Sequence, residues 1–274
     1  GLRRAVHARR ALKYGIPSKI MRKLRQHQFL FEELVKRDFK KKYKRTILGV
    51  GWSMLSPLLM LLVMKVVFGQ FFGRETPHYT TYLFCGLLTF NWFSESASAG
   101  MRSLFGNADI FTKVNVPKYL FIFSANVQVL FNFVLTLLVF FVFCALDKVS
   151  FSWTFLCLLY PVVTLSIFNL GVGMVLSALF IFFRDIDYLW EVFMRLLMYG
   201  SAIFYQIDAM SPTVRQVFLF NPVYRHIAYV REIVLAGAVP DLLTHITLAG
   251  FALMAFLFGS LMYRHYNTRF LYYV

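Results

Sequence analysis

Residues 29–72 read FLFEELVKRDFKKKYKRTILGVGWSMLSPLLMLLVMKVVFGQFF, and the change of character inside this stretch decides the fold. From Val50 to Phe72 the only ionisable group is Lys65, and a hydrocarbon core of about 30 Å needs roughly 20 such residues in a helix. Just upstream, Phe31, Leu34, Val35, Phe39 and Tyr43 recur at steps of three and four. Lys36, Arg37, Lys40, Lys41 and Lys44 gather mainly on the other face. A helix of this kind lies flat at headgroup level, its apolar face toward the acyl chains and its basic face toward the cytoplasm or anionic lipid. It serves as a lipid anchor and topology signal, either alone or with a docking surface for a cytoplasmic partner.

The rest of the chain repeats the apolar theme. Hydrophobic residues make up 59% and charged residues 15% of 274, too little polar surface to clothe a soluble domain. Six segments are predicted to span: Val50 to Phe72, Tyr79 to Gly100, Tyr119 to Leu146, Phe151 to Phe183, Tyr188 to Tyr205 and Leu242 to Tyr263. The fourth exceeds one span and is expected to kink near Pro161 or to extend past the bilayer. None shows the alternation of a barrel strand. The expected architecture is an all-α integral membrane protein: a basic cytoplasmic segment (1–49), a transmembrane domain (50–263) and a short tail (264–274).

Basic residues near helix ends are retained in the cytoplasm. With the N-terminus inside, 22 of the 29 Lys and Arg fall on that side, while Arg231 is among the five placed outside. Six spans then put both termini in the cytoplasm. The net charge of +16 is concentrated before the first span, where topology and anionic lipid account for it, so nucleic acid is not an expected partner. Cys85, Cys144 and Cys157 lie in predicted spans, and the six His form no ligand pattern, so no metal site is expected. No Gly-Lys dipeptide occurs, hence no Walker A loop; any ATP hydrolysis belongs to another chain.

Three further features carry functional information. The loop from Met101 to Lys118 holds Leu104, Phe105, Ile110 and Phe111, apolar groups that want either a partner's surface or the protein's own helices. Residues 207–240 hold two short apolar pieces divided by Asn221-Pro222, each too short to span. They are expected to form a pair of short helices dipping back into the outer leaflet. Charges inside spans are costly. Glu191 and Arg195, four apart, can pair along one face. Glu95 lies at a depth that allows contact with Arg195; a structural pair and a substrate site are both open. Lys65 is expected to snorkel outward.

The run from Leu34 to Pro57, with Leu48-Gly49, Trp52 and Pro57 after a basic helix, resembles the start of permease subunits of ABC-type polysaccharide exporters, the O-antigen, capsule and teichoic-acid export family. Phe183-Arg-Asp-Ile186 and Asn221-Pro222 are similar to the family at corresponding places, and the resemblance covers nearly the whole chain from Leu30. It implies a homodimer of six-helix subunits in the bacterial cytoplasmic membrane, paired with two ATPase subunits that bind ATP and Mg, exporting a lipid-linked glycan. It implies a gate helix containing Phe31, Leu34, Arg37, Phe39, Lys41 and Tyr43. It further implies an ATPase-coupling surface with Phe105, Asp109, Phe111, Lys113, Arg184 and Asp185.

A glycan needs a wet path with aromatic faces and scattered hydrogen-bond partners. Phe68, Phe71, Phe72, Trp92, Tyr199, Phe204 and Tyr205 are candidates for its wall, the competing reading being interfacial and lipid-facing aromatics. A membrane-embedded enzyme acting on lipid-linked sugars is the alternative, but it calls for converging acids or His, and the acids here are dispersed. A secondary transporter calls for internal repeats, which the two halves do not show.

Overall fold

The computed structural model describes residues 27–44, 46–73, 76–114, 116–208, 210–266 and 269–273. The basic stretch before residue 27, and Arg45 and Arg74 of the charge count, lie outside them. The elements are α1 (27–43), α2 (Gly51–Phe72), α3 (Tyr79–Ser103), α4 (Ala108–Phe111), α5 (Tyr119–Leu146), α6 (Leu159–Phe182), α7 (Ile186–Tyr199), α8 (Pro212–Leu219), α9 (Pro222–Leu235) and α10 (Leu242–Tyr266). No strand occurs among the described residues.

Among the described residues, four helical stretches are long and apolar enough to cross a membrane: α2, α5, Trp153–Phe182 and α10. The second predicted span is α3, whose 25 residues give about 37 Å of helix but whose Asn, Ser, Thr and Glu side chains lower its hydropathy. The fifth differs from expectation. Helix α7 stops at Tyr199 after 14 residues, about 21 Å, and residues 200–205 are irregular. The fourth segment begins with a 3-10 stretch, Trp153–Leu158, and continues unbroken to Phe182. Pro161 falls in the first turn of α6, just after the junction of the 3-10 stretch with the α-helix.

Helices α3 and α6 form the centre, with α5, α9 and α10 around them. Lipid tails give no hydrophobic reward for helix association, so close packing must hold such a bundle. Small residues provide it. A Cβ on Gly171 of α6 would stand 2.3 Å from the Ala255 carbonyl carbon of α10, and one on Gly259 2.6 Å from the Gly171 oxygen. Gly100 and Gly173 likewise let α3 and α6 meet closely, a Cβ on Gly100 standing 2.8 Å from Gly173 Cα. By contrast α2 and α7 are peripheral, burying only Leu61 and Met194 respectively.

Helix α1 differs from expectation in one respect: its apolar face packs on protein. Leu34 is buried in a cluster with Leu104, Phe111, Leu120 and Phe121, with Leu30 and Phe31 alongside. The short helices α8 and α9 form as predicted, each opening on Pro. Eight of the 14 residues of α9 are buried, so it is part of the bundle's core.

Candidate functional site

Pro57 lies inside α2. Lacking an N–H, it leaves the carbonyl of Ser53, four residues back, without its helical donor. The Thr136 hydroxyl of α5 stands 3.1 Å from that oxygen and 3.0 Å from the carbonyl of Asn132, so its proton is shared between them. Thr136 belongs to a stripe of polar side chains at steps of four on a mostly apolar helix: Ser124, Gln128, Asn132, Thr136. Such spacing puts all four on one face. Helices α1 and α2 dock along that stripe. Ser124 donates to Asp38 Oδ2 at 2.9 Å, Tyr43 donates its hydroxyl proton to Asn132 Oδ1, and Phe39 meets Phe131 edge-on at 4.9 Å. Arg37 pairs with Asp38 at 2.6 Å.

A second polar stripe, Asn91, Ser94, Glu95 and Ser98, runs down α3. Between the two stripes, with α2 as a third wall and Lys42 and Tyr43 of α1 on its lining, is a cleft of about 840 Å³. Its walls carry Lys42, Tyr43, Trp52, Ser53, Ser56, Asn91, Trp92, Ser94, Glu95, Ser98, Asn132 and Thr136. Trp92 stacks on Phe133 at 4.0 Å, and the buried Asn132 Nδ2 has no hydrogen-bond partner. Hydroxyls, amides and flat aromatic faces in one water-accessible cleft suit a polyhydroxylated ligand with apolar C–H faces. Glu95 is bonded to Lys42 of α1. Its anticipated contact with Arg195 does not form, because Arg195 pairs with Glu191 at 2.6 Å on the exposed side of α7.

The other aromatic candidates collect at the opposite end. Phe68 stacks on Phe204 at 4.5 Å, Phe72 lies 6.4 Å from Tyr205, and Tyr199 lies 6.1 Å from Phe204. Phe71 points away, 75% exposed. These residues surround the break after α7, where Ala202 has a φ of +48°. Irregular backbone at membrane depth is tolerated only where protein satisfies it, and here side chains from α3 and α9 do so. Asn221 Nδ2 donates to the Gly200 carbonyl at 2.9 Å and to Ser201 Oγ at 3.0 Å. Arg231 donates to the carbonyls of Ala202 (2.9 Å) and Ile203 (2.8 Å), with its guanidinium 3.5 Å from the centre of the Tyr82 ring. Tyr79 and Tyr82 donate to Phe204 and Tyr205 at 3.0 and 2.6 Å. Arg231, counted among the basic residues on the external side, is thus a buried cross-brace.

Of the coupling candidates, Phe105, Asp109, Lys113, Arg184 and Asp185 are exposed, and Arg184 lies 3.4 Å over the Phe105 ring. Phe111 is buried with Leu104 against Phe121, so these two apolar groups are covered by the protein's own helices. Arg102 pairs with Asp187 at 2.8 Å, tying the end of α3 to the start of α7. Lys118, ahead of α5, lies 5.8 Å from the centres of Phe111 and Phe270, and burial pushes its ammonium below the usual lysine range.

The sequence reading missed Lys42, Asn132, Thr136 and Arg231. The steps of four in polar residues along α5 are a legible signal for two of them. Arg231 offers none, since an Arg beside apolar residues reads equally as an exposed loop cation.

Helical spans, a backbone break satisfied by side chains and a polar cleft beside a basic helix define an integral membrane protein built around a hydrophilic recess. The chain belongs to the ABC-2 type transporter family, whose model matches residues 30–235. It is 27% identical over 247 residues to the O-antigen export system permease protein RfbA of Klebsiella pneumoniae, covering 86% of this chain and 94% of that protein. It is 29% identical over 228 residues to RfbA of Myxococcus xanthus (81% and 86% covered). Over 236 residues it is 22% identical to the polysialic acid transport protein KpsM of Escherichia coli (85% and 92%).

Proposed function

We propose that this chain is the permease subunit of an ATP-driven exporter that carries a lipid-linked polysaccharide, of O-antigen, capsule or teichoic-acid type, across the bacterial cytoplasmic membrane. Two copies form the path, two copies of an ABC ATPase drive it, and both termini face the cytoplasm. The observation that carries this reading is the cleft between the polar stripes of α3 and α5, in a chain whose relatives are named for O-antigen export and polysialic acid transport. The basic helix α1 lies where a lipid-borne glycan would arrive from the inner leaflet, and Trp52 and Trp92 present faces for sugar rings. The Arg184–Phe105 contact with exposed Asp109 and Lys113 forms the surface for the ATPase. The outer aromatic group around Phe204 stands beside the exit.

The test is co-expression with the ATPase encoded beside the gene, followed by purification and ATPase measurement. A stable complex is expected, and Phe105→Ala with Arg184→Ala is expected to uncouple hydrolysis from export while the melting temperature holds. Lys113→Glu is expected to weaken assembly. A chain that purifies alone and processes a lipid-linked sugar without nucleotide would overturn the exporter reading in favour of a membrane enzyme.

A further inference from the structure

Among the described residues, Lys42 and Glu95 are the only charged side chains on the cleft wall, and they are bonded to each other. They belong to elements with different roles under the proposed function. Lys42 lies in the last turn of α1, with Lys40, Lys41 and Lys44 exposed around it. Glu95 sits on α3, eight residues before Ser103, where the helix runs into residues 105–111. Eight residues are about 12 Å of rigid helix. The two side chains are 34% and 49% exposed, so water and ions compete for both charges and the contact is held weakly. Beside it, Asn132 Nδ2 is a buried donor with no partner. An anion that passes the exposed lysines of this turn and enters the cleft meets Lys42, held by a carboxylate, and an unused donor on the same lining.

We propose that the Lys42–Glu95 pair is an exchangeable latch on the cleft. A phosphate-ester head group carried on a lipid takes the Lys42 ammonium from Glu95, α1 parts from α3, and the cleft opens toward the inner leaflet. The released carboxylate changes the charge balance on α3 nearly three turns ahead of residues 105–111, so occupancy is reported to the surface that meets the ATPase. The identity of the ligand rests on the proposed function; the latch rests on the geometry alone.

The test uses the full chain in phosphatidylethanolamine vesicles, with Ser98→Cys as a reporter inside the cleft and the half-buried Cys157 replaced by Ser. The readout is the labelling rate with a membrane-impermeant maleimide, which requires no ATPase and so succeeds or fails independently of the exporter reading. Labelling is expected to be slow in plain vesicles and to rise several-fold when they contain a polyprenyl diphosphate. Glu95→Gln is expected to label fast without it, and Lys42→Gln to label fast and to ignore it. Exchanging the charges, Lys42→Glu with Glu95→Lys, is expected to restore slow labelling. The latch is overturned if both single variants label at the parent rate, or if the exchanged pair stays fast while its melting temperature is unchanged. An equal response to inorganic pyrophosphate overturns the lipid-borne ligand, and no response to either phosphate overturns the exchange.

Discussion

Replacing Asn221 separates two jobs performed by one side chain. Its Oδ1 accepts from the backbone N–H of Val223 at 2.9 Å and of Tyr224 at 3.3 Å, capping α9, while its Nδ2 holds Gly200 and Ser201 across the break after α7. Loss of an N-cap costs about 1 kcal/mol, and loss of the bonds to residues 200 and 201 about 1 kcal/mol more. Asn221→Ala should therefore lower stability by about 2 kcal/mol, or about 4–8 °C in melting temperature for a chain of this size. Asn221→Ser keeps a capping oxygen but is too short to bridge, so about half the loss is expected. Asn221→Asp keeps the cap, yet sets a carboxylate oxygen against the Gly200 carbonyl and should be no better than Ser. The assay is thermal unfolding in detergent followed by tryptophan fluorescence, with limited proteolysis between residues 200 and 222 as the local readout. If Ser and Ala prove equal, or both lie within a few tenths of a kcal/mol of the parent, the side chain does not bridge the break and the account of residues 200–205 fails.

Gly171→Ala would place a Cβ 2.3 Å from the backbone of Ala255, and because a backbone cannot yield like a side-chain tip, a loss of about 1–3 kcal/mol is expected. Gly259→Ala disturbs the same contact, so a double-mutant thermal cycle should be clearly non-additive. Arg231→Met keeps most of the volume but strips the carbonyls of Ala202 and Ile203 of their donors; a loss of about 3 kcal/mol and faster proteolysis near residue 202 are expected, with Arg231→Lys intermediate. Asp241, before α10, is held below the 3.8 of a free aspartate by hydrogen bonds from Thr244. Its contribution is complete above that value and disappears as pH falls through the lowered one. Stability measured by chemical unfolding should therefore decline in this acid range, and Asp241→Asn should flatten the decline.

The amino-acid sequence by itself determined the all-helical membrane architecture, because hydropathy and 3.6-residue periodicity are local properties that no distant contact rewrites. It likewise determined the amphipathic helix, read at 29–44 and found at 27–43, and the two short helices on either side of Asn221, where capping and Pro act within a few residues. Only the tertiary structure decided that the fifth apolar segment breaks at Tyr199, since the donors that make the break tolerable come from Tyr79, Tyr82, Asn221 and Arg231 on other helices. It decided too that Glu95 meets Lys42 rather than Arg195, and that polar stripes on α3 and α5 face each other across a cleft. Membrane depth, read from residue counts, gives one coordinate of a charged side chain. Its partner depends on how the helices are rotated and packed, which close approaches such as Gly171 against Ala255 and Gly100 against Gly173 help to set.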